Sequence, residues 1–225
     1  MKVSVIVQAR TGSTRLPGKV LLPLGGRPLL ASVLEALLAA QTVAEVIVAV
    51  PERDLDALGP IVTAAGCAIV GGSEDDVLSR YEKAARTARC ATIVRATADN
   101  PLVCPELLDE IVGRHFAEGA DLSHYLGIPP GSGVEVVSAV ALFAAAAEAV
   151  LPYEREHVTP FIYAHRERFI VREPDLGLDP GLRLTVDTQD DYARVAAILE
   201  RMGTARPITL RRLLELYRQD AAVFR

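Results

Sequence analysis

The feature that most constrains the fold is an alternation of short apolar runs with amphipathic stretches through the first half of the chain. The apolar runs are rich in β-branched residues and are too short for helices, which is typical of buried strands. Four are present: "VSVIV" (3–7), "EVIVAV" (45–50), "CAIVGG" (67–72) and "TIVRATAD" (92–99). Apolar residues at helical spacing recur at 29–38, 73–85 and 105–116. This order predicts an α/β fold with a mostly parallel sheet, right-handed crossovers and helices on both faces.

The second half is less regular and predicts more strands beside a further set of helices. "VEVVS" (134–138) and "RLTVDT" (183–188) have the composition of strands. Helices are expected at 139–150, 154–165, 190–202 and 209–219. The loosest loop is "GIPPGSG" (127–133), because glycine and proline both interrupt regular structure. No repeat or obvious linker interrupts the 225 residues, so we expect one compact domain with a mixed sheet.

A glycine-rich loop with three cations, Arg10, Arg15 and Lys19, follows the first strand in "QARTGSTRLPGKV" (8–20). The P-loop pattern G-x-x-x-x-G-K-[ST] fails here, because the glycines are one residue too far apart and Val20 replaces the hydroxyl. Loops at the carboxyl ends of parallel strands are nevertheless where open α/β sheets bind ligands. The loop therefore predicts an anionic ligand, and the alternative is a solvated basic loop without one.

The distribution of charge indicates which kind of anionic ligand the loop would bind. Residues 1–34 contain five cations and no acid, although the whole chain has a formal charge of −5. A cationic island in an acidic protein favours a small anionic ligand, because nucleic acid would need a broad basic face. Aromatic residues make up only 5% of the chain, which disfavours base-stacking platforms for single strands. We expect no nucleic-acid partner.

Cysteine usage and hydropathy predict a cytoplasmic protein without a membrane segment. Cys67, Cys90 and Cys104 are odd in number and form no C-x-x-C pair, which disfavours both disulfides and a zinc site. The first apolar run is too short for a signal peptide and leads directly into the cationic loop. The only membrane candidate, 136–152, is interrupted by Glu148 and ended by Pro152, so a packed helix is expected there.

Two aspartates stand where strands are predicted to end. Asp99 closes the fourth run, and Asp187 closes "RLTVD" just before a helix. Carboxylates at one sheet edge, facing a cationic loop, predict a Mg²⁺ site whose shell is completed by phosphates. For either residue alone the alternative is an Asx-turn or a helix cap, and Asp187 before "TQDD" is a candidate N-cap.

Five motifs together resemble those of the nucleotide-sugar cytidylyltransferases. They are "QARTGSTRLPGKVL", "GSEDDVLSRY", "RATADNPLV", "REHVTPFIY" and "RLTVDTQDD". The branch resembled is that of spore-coat polysaccharide biosynthesis protein F, and the CMP-Kdo and CMP-acylneuraminate synthetases are more distantly similar. The resemblance implies a GT-A-like nucleotidyltransferase (Rossmann-like) fold, CTP and Mg²⁺ as co-substrate and cofactor, and a homodimer. Within a single domain, 1–225, it implies a nucleotide-binding half, about 1–120, and an acceptor-binding and dimerisation half, 121–225.

The resemblance also implies site residues. The triphosphate would be held by Arg10, Ser13, Arg15 and Lys19. The metal would be held by Asp99 and Asp187, with Arg15, Lys19 and Asp99 as the catalytic set. The base and ribose would lie near Ala9, Gly12, Gly72 and Ser73. For the acceptor we expect Tyr125, Glu135, Arg155 and His157, and the alternative for His157 is a packed helical histidine. The chain departs from the Kdo enzymes in "TADNP" and at Gln189, which affects the acceptor more than the metal.

The expected reaction is transfer of CMP from CTP to the hydroxyl of a sugar acid or related acceptor, with release of pyrophosphate, in surface polysaccharide biosynthesis. One alternative is a glycosyltransferase of the same fold, although its usual D-x-D motif is absent around Asp99. The other alternative is a non-catalytic nucleotide-binding subunit, against which the set Lys19, Asp99 and Asp187 argues.

Overall fold

The protein is built on a seven-stranded mixed sheet with strand order β5-β4-β1-β6-β8-β7-β9. The computed structural model describes residues 2–203 and 206–224. The strands of this sheet are β1 (Val3–Gln8), β4 (Val43–Pro51), β5 (Ala68–Gly72), β6 (Thr92–Thr97), β7 (Leu122–Ser123), β8 (Glu135–Ser138) and β9 (Val171–Arg172). A two-stranded hairpin, β2 (Pro23–Leu24) and β3 (Arg27–Pro28), lies outside it. Strands β5, β4, β1 and β6 are all parallel, and β8 runs antiparallel to β6 and β7. The predicted mostly parallel mixed sheet is confirmed.

Helices cover both faces of the sheet, as the sequence predicts. They are α1 (Leu29–Leu38), α2 (Leu55–Ala64), α3 (Val77–Thr87), α4 (Pro105–Ala117), α5 (Ala139–Glu148), α6 (Pro152–His157), α7 (Pro160–Ala164), α8 (Gln189–Met202) and α9 (Leu210–Gln219). Alternation along each strand sends side chains to two cores, because successive residues point to opposite faces. In β1, Val5 and Val7 join the core of α1, α2, α4, α8 and α9, whereas Ile6 joins that of α3, α5 and α7.

The predicted strand at 183–188 is wrong. The segment is extended and buries Leu184 and Val186, but it forms no strand ladder. Its backbone N–H groups donate instead to single loop carbonyls, Leu184 to Pro130 and Val186 to Asp99, both at 2.8 Å. Burial alternates along this segment because the segment packs under a loop. The periodicity of a sequence alone does not distinguish such a segment from a strand.

Two of the expected helix boundaries also differ. The helix expected at 154–165 is two short helices, α6 and α7, separated at Val158, whose φ is 74°. Pro160 has no N–H to donate and its ring would clash in a continuous helix, so the chain restarts there. The helix expected from residue 73 begins at Val77, because the Asp76 carboxylate caps it by accepting the N–H of Ser79 at 2.9 Å.

The parallel strands place the predicted ligand loop and Asp99 at one edge. The cationic loop leaves the carboxyl end of β1, and Asp99 lies two residues beyond the end of its parallel neighbour β6. Within residues 2–203 and 206–224, no helix combines the length and apolar character needed to cross a membrane. The apolar segment at 136–152 instead contributes to β8 and forms the packed helix α5.

Candidate active site

A cavity of about 340 Å³ opens at the carboxyl edge of β1 and β6. Predicted site residues that line it are Ala9, Arg10, Ser13, Arg15, Lys19, Asp99, His157 and Asp187. These residues come from the first loop, the end of β6, helix α6 and the segment before α8. Tertiary structure thus brings together all six residues that the sequence analysis assigned to the triphosphate and the metal.

The cationic loop is held in place by a buried carboxylate that the sequence analysis did not identify. Asp54 is only 3% exposed and accepts both the backbone N–H and the hydroxyl of Thr11, at 2.8 and 2.7 Å. Gly18 then takes a φ of 67°, which favours glycine, and starts a short 3-10 turn, Lys19–Leu21. The turn points Lys19 inward and fixes its backbone.

Lys19 is the centre of the site. Its side chain is nearly buried, and Nζ lies 3.0 Å from Asp99 Oδ2 and 3.0 Å from Asp187 Oδ1. Nζ also donates to the carbonyl of Val186 at 2.8 Å. One ammonium group therefore neutralises two carboxylates that stand 88 positions apart in the chain and would otherwise repel each other.

Asp187 receives further positive charge and does not cap α8. Its carboxylate contacts Arg15 at 3.0 Å and Arg183 at 2.5 Å. Burial alone would raise the pKa of this carboxyl, but the hydrogen bond and charge of Lys19, together with Arg15, outweigh burial and lower it. The cap of α8 is Thr188, whose hydroxyl accepts the N–H of Asp191, so the alternative role as an N-cap is wrong.

Two close backbone contacts bring the segment that carries Asp187 next to Asp99. The N–H of Val186 donates to the carbonyl of Asp99 itself at 2.8 Å. Gly131 has a φ of 97°, and a Cβ there would lie 2.8 Å from the backbone of Leu184. Only glycine lets the 127–133 loop press this closely on the segment that carries Asp187.

The two aspartates provide a donor set that fits a hard divalent cation. Carboxylate oxygens are its preferred ligands, and both carboxylates already converge on one cation, the Lys19 ammonium. No cluster of three or more His, Cys, Asp or Glu side chains suited to a metal occurs in the described part of the chain. A metal held here would therefore take the rest of its ligands from phosphate or water.

A second cavity, of about 310 Å³, adjoins the first and shares Arg95 and Thr97 with it. Tyr125 and Glu135, both predicted for the acceptor, line it together with the 127–133 loop. Burial and the nearby Glu110 raise the pKa of Tyr125 to about 12. The second cavity thus lies next to the one that holds the two aspartates.

Glu135 anchors a hydrogen-bonded network at the wall of the second cavity. It accepts from Arg95 at 2.8 Å, from Thr159 at 3.1 Å and from Tyr163 at 2.8 Å. Burial, together with the Glu135 carboxylate, raises the pKa of Tyr163, so its hydroxyl stays protonated and available as a donor. The Tyr163 hydroxyl also lies 2.8 Å from His124 Nδ1. Arg95 and this network were not identified from the sequence, because they looked like ordinary strand and helix positions.

Comparison with known proteins identifies the family. Residues 4–224 match the family model described as cytidylyltransferase. The chain belongs to the cytidylyltransferase family. The resemblance carried by the five sequence motifs is therefore confirmed.

Individual relatives align with nearly all or all of the chain. It is 35% identical over 231 residues to spore coat polysaccharide biosynthesis protein SpsF of Bacillus subtilis, which covers 98% of this chain and 96% of that protein. A cytidylyltransferase structure from Leptospira borgpetersenii superimposes with a TM-score of 0.93 at 30% identity, covering 100% of this chain and 97% of the other. The structure of CMP:2-keto-3-deoxy-manno-octonic acid synthetase complexed with CTP superimposes with a TM-score of 0.72 at 17% identity, covering 90% of this chain and 100% of the other. The nucleotidyltransferase fold is thereby confirmed.

Two arginines, Arg53 and Arg80, lie against the predicted base and ribose residues Gly12, Gly72 and Ser73. These three residues do not line the first cavity. A Cβ on Gly12 would lie 2.6 Å from Arg53 Nη2, and a Cβ on Gly72 would lie 2.9 Å from Arg80 Cγ. The carbonyl of Ser73 accepts a hydrogen bond from Arg80 Nη1. Arg80 itself lines the cavity. The sequence analysis did not single it out, because one cation in the amphipathic stretch 73–85 carries no signal of its own.

Arg155 and His157, the other two residues predicted for the acceptor, have different environments in the structure. Arg155 lines neither cavity and pairs with Asp76 through two hydrogen bonds, at 3.0 and 2.5 Å. His157 lines the first cavity and is exposed, with its ring 4.5 Å from that of Tyr153. The alternative of a packed helical histidine is therefore wrong for His157. Contact of either residue with an acceptor stays a prediction.

Proposed function

We propose that the enzyme transfers CMP from CTP to a hydroxyl group of a sugar acid or related acceptor and releases pyrophosphate, in surface polysaccharide biosynthesis. The observation that carries the proposal is the meeting of Lys19, Asp99 and Asp187 at the sheet edge, between a cationic loop and the second cavity. Family membership and the relative named for polysaccharide biosynthesis support the reaction and its setting.

In this mechanism the first loop holds the triphosphate. Arg10, Ser13 and Arg15 line the cavity around Lys19 and supply donors and positive charge to phosphate oxygens. The acceptor hydroxyl releases its proton to solvent as its oxygen bonds to the α-phosphorus, and the bond from that phosphorus to the oxygen of the leaving pyrophosphate breaks. Positioning the two reactants and neutralising the developing charge account for most of the catalysis in such a transfer.

A divalent cation, Mg²⁺ in our proposal, would be held by Asp99 and Asp187. Such an ion neutralises phosphate charge and orients the triphosphate. The ammonium group of Lys19 now neutralises both carboxylates, and the phosphates of CTP offer it an alternative partner. Lys19 is therefore positioned to exchange carboxylate contacts for phosphate contacts when nucleotide and metal bind.

The second cavity is the proposed acceptor site. Three atoms of its lining residues, Arg95 Nε, Asn100 Oδ1 and Tyr125 Oη, are buried without a hydrogen-bond partner in the described part of the chain. Buried polar atoms are normally paired, so donors and acceptors left free here favour a polyhydroxylated anionic ligand. The shared residues Arg95 and Thr97 would place that ligand next to the α-phosphate.

We also propose a cytoplasmic homodimer. The chain exposes an apolar run next to the first cavity, where Val150 is 83%, Leu151 56% and Tyr153 63% exposed. Exposed apolar patches of this kind mark contact surfaces. The three cysteines are all free thiols, which is consistent with a reducing compartment.

The test is pyrophosphate release from CTP with a panel of 2-keto-3-deoxy sugar acids and Mg²⁺. We expect release with at least one acceptor, and a loss of about 100-fold or more in Lys19→Ala and Arg15→Ala. Lys83→Ala is the control, because Lys83 donates to the Gly71 carbonyl and is not among the residues that line either cavity.

The outcomes separate the alternatives. Binding of CTP without turnover on any acceptor would favour a non-catalytic nucleotide-binding subunit. Transfer from a nucleotide sugar in place of pyrophosphate release would favour a glycosyltransferase. Near-normal rates in Lys19→Ala would show that Lys19 is not part of the machinery.

A further inference from the structure

Thr11 is the residue through which the backbone of the cationic loop is held. Its N–H and its hydroxyl both donate to Asp54, and its carbonyl accepts from the N–H groups of Ser13 and Gly18, at 2.9 and 3.0 Å. The bond from Gly18 closes the loop just before the turn that carries Lys19. Four hydrogen bonds therefore meet at one residue of the loop.

Asp54 binds Thr11 with both of its carboxylate oxygens. Oδ2 accepts the N–H at 2.8 Å and Oδ1 accepts the hydroxyl at 2.7 Å. Asp54 ends the short 3-10 turn Glu52–Asp54, which follows β4, the parallel neighbour of β1. Its side chain is buried, and its ion pair with the exposed Arg53 is long, at 3.9 Å. A buried carboxylate is costly unless it is hydrogen-bonded, so the loop stabilises the same charge that holds the loop.

The contact between Asp54 and Thr11 lies behind the loop, on the side away from the cavity. Neither residue is among those that line the first cavity, whereas Arg10, Ser13 and Arg15 are. The side chains of Arg10 and Arg15 are exposed, so packing contributes little to the order of this part of the backbone. Ordering a backbone has an entropic cost, and a site that is already ordered avoids that cost when its ligand binds.

We infer that Asp54 is a positioning residue of the nucleotide site, which holds the cationic loop ready for the phosphate chain by binding Thr11. This inference rests on the proposed function, in which the loop holds the triphosphate of CTP. A carboxylate beside an anion site repels the anion, so any gain in affinity from Asp54 must come through the position of Thr11. Asp54 itself contacts neither the ligand nor the reacting atoms.

A second aspartate makes the same pair of bonds at the opposite edge of the sheet. Asp109, on α4, accepts the N–H and the hydroxyl of Thr42 at 2.8 and 2.6 Å. Thr42 comes just before β4, whereas Asp54 comes after it. Asp109 and Thr42 are not among the residues that line either cavity. This pair is therefore a matched control, with the same chemistry away from the site.

The experiment measures binding of CTP and CMP by calorimetry, with Mg²⁺ and without acceptor, in the wild type, Asp54→Ala and Asp109→Ala. We expect Asp54→Ala to bind CTP about tenfold or more weakly, because backbone of the loop must then be ordered during binding. CMP should lose less than about threefold, since it presents a single phosphate to the loop. Asp109→Ala should bind both nucleotides as the wild type does, and urea unfolding shows whether each variant is folded.

Variants of Thr11 test the same contact from the side of the loop. Thr11→Ser keeps both the N–H and the hydroxyl, so its affinity for CTP should stay within about twofold of the wild type. Thr11→Val has the same shape as threonine but no hydroxyl, and should bind CTP about threefold or more weakly.

The possible outcomes separate the inference from the proposed function. Equal affinity of Asp54→Ala and Asp109→Ala for CTP would overturn the inference. Equal losses for CTP and CMP in Asp54→Ala would also overturn it, because Asp54 would then support the whole cavity and not the phosphate loop. If Asp54→Ala does not fold, the threonine variants decide, and a Thr11→Val variant that binds CTP as tightly as Thr11→Ser overturns the inference. A wild type that does not bind CTP would overturn the proposed function, and the inference with it.

Discussion

At the scale of single residues, the chemistry of this site is a balance of charge around two carboxylates. Asp187 has three cationic neighbours, Lys19, Arg15 and Arg183, and Asp99 shares the first of them. The Asp99 carboxylate is also oriented by Thr97, whose hydroxyl donates to it at 2.6 Å. This excess of positive charge matches a triphosphate, which carries more negative charge than the two aspartates do.

Replacing the two aspartates tests whether they hold one ion. We expect Asp99→Asn and Asp187→Asn each to lower metal-dependent turnover by about 100-fold or more, because each removes a charged metal ligand. The double variant should be little worse than the poorer single variant, since the effects of residues acting on one ion are coupled. Initial rates across a Mg²⁺ titration measure this.

Asp190→Asn is the control for those variants, because Asp190 is an exposed residue in the first turn of α8. Helix stability is not affected at position 187, since Thr188 provides the cap. A silent Asp187→Asn would remove Asp187 from the metal site and leave Asp99 alone.

At the scale of secondary-structure elements, Arg155 joins three helices near the cavity. Its guanidinium pairs with Asp76, the cap of α3, and donates at 2.8 Å to the carbonyl of Ala146 on α5. Arg155 itself belongs to α6, which carries Glu156 and His157 to the cavity wall. The residue predicted as an acceptor ligand therefore positions the helix from which its neighbours reach the site.

Removing this link should loosen α6. We expect Arg155→Met to lower the free energy of unfolding by about 1–3 kcal/mol, because it removes the donor to the carbonyls of Ala146 and Ala149 and to the capping carboxylate. Arg168→Met is the matched control, since Arg168 also pairs with a carboxylate, Glu148, through two bonds but on the exposed surface. There we expect a clearly smaller loss, because solvent screens an exposed ion pair. Urea unfolding measures both, and equal small losses would contradict a bracing role.

At the scale of the whole molecule, the exposed run at 150–153 predicts how two copies associate. We expect Leu151→Asp to dissociate the proposed homodimer, because a buried unpaired carboxylate in an apolar contact is strongly unfavourable. Analytical ultracentrifugation over a range of concentrations measures this. Leu38→Asp, at an exposed leucine on α1, should leave association unchanged. A wild type that stays monomeric, or a Leu151→Asp variant that stays dimeric, would refute this surface.

The sequence by itself determined the first half of the fold and the position of the ligand loop. Four β-branched runs and the helical stripes beside them are local patterns, and local patterns decide which faces an element buries. Parallel pairing then brings the loop after β1 and Asp99 after β6 to the same edge, without further information. The specific motif "QARTGSTRLPGKVL" identified the family for the same reason, since its residues act together within one loop.

Tertiary structure alone decided how distant segments meet. Asp187 reaches Lys19 because an extended segment docks by single hydrogen bonds on Pro130 and on Asp99, an arrangement with no periodic signature. The link from Arg155 to Asp76 likewise depends on a contact between segments that are far apart in the chain. The periodicity of apolar residues indicates which face of a helix or strand is buried, averaged over its length. The partner of a single charged side chain depends instead on which distant loops pack against it.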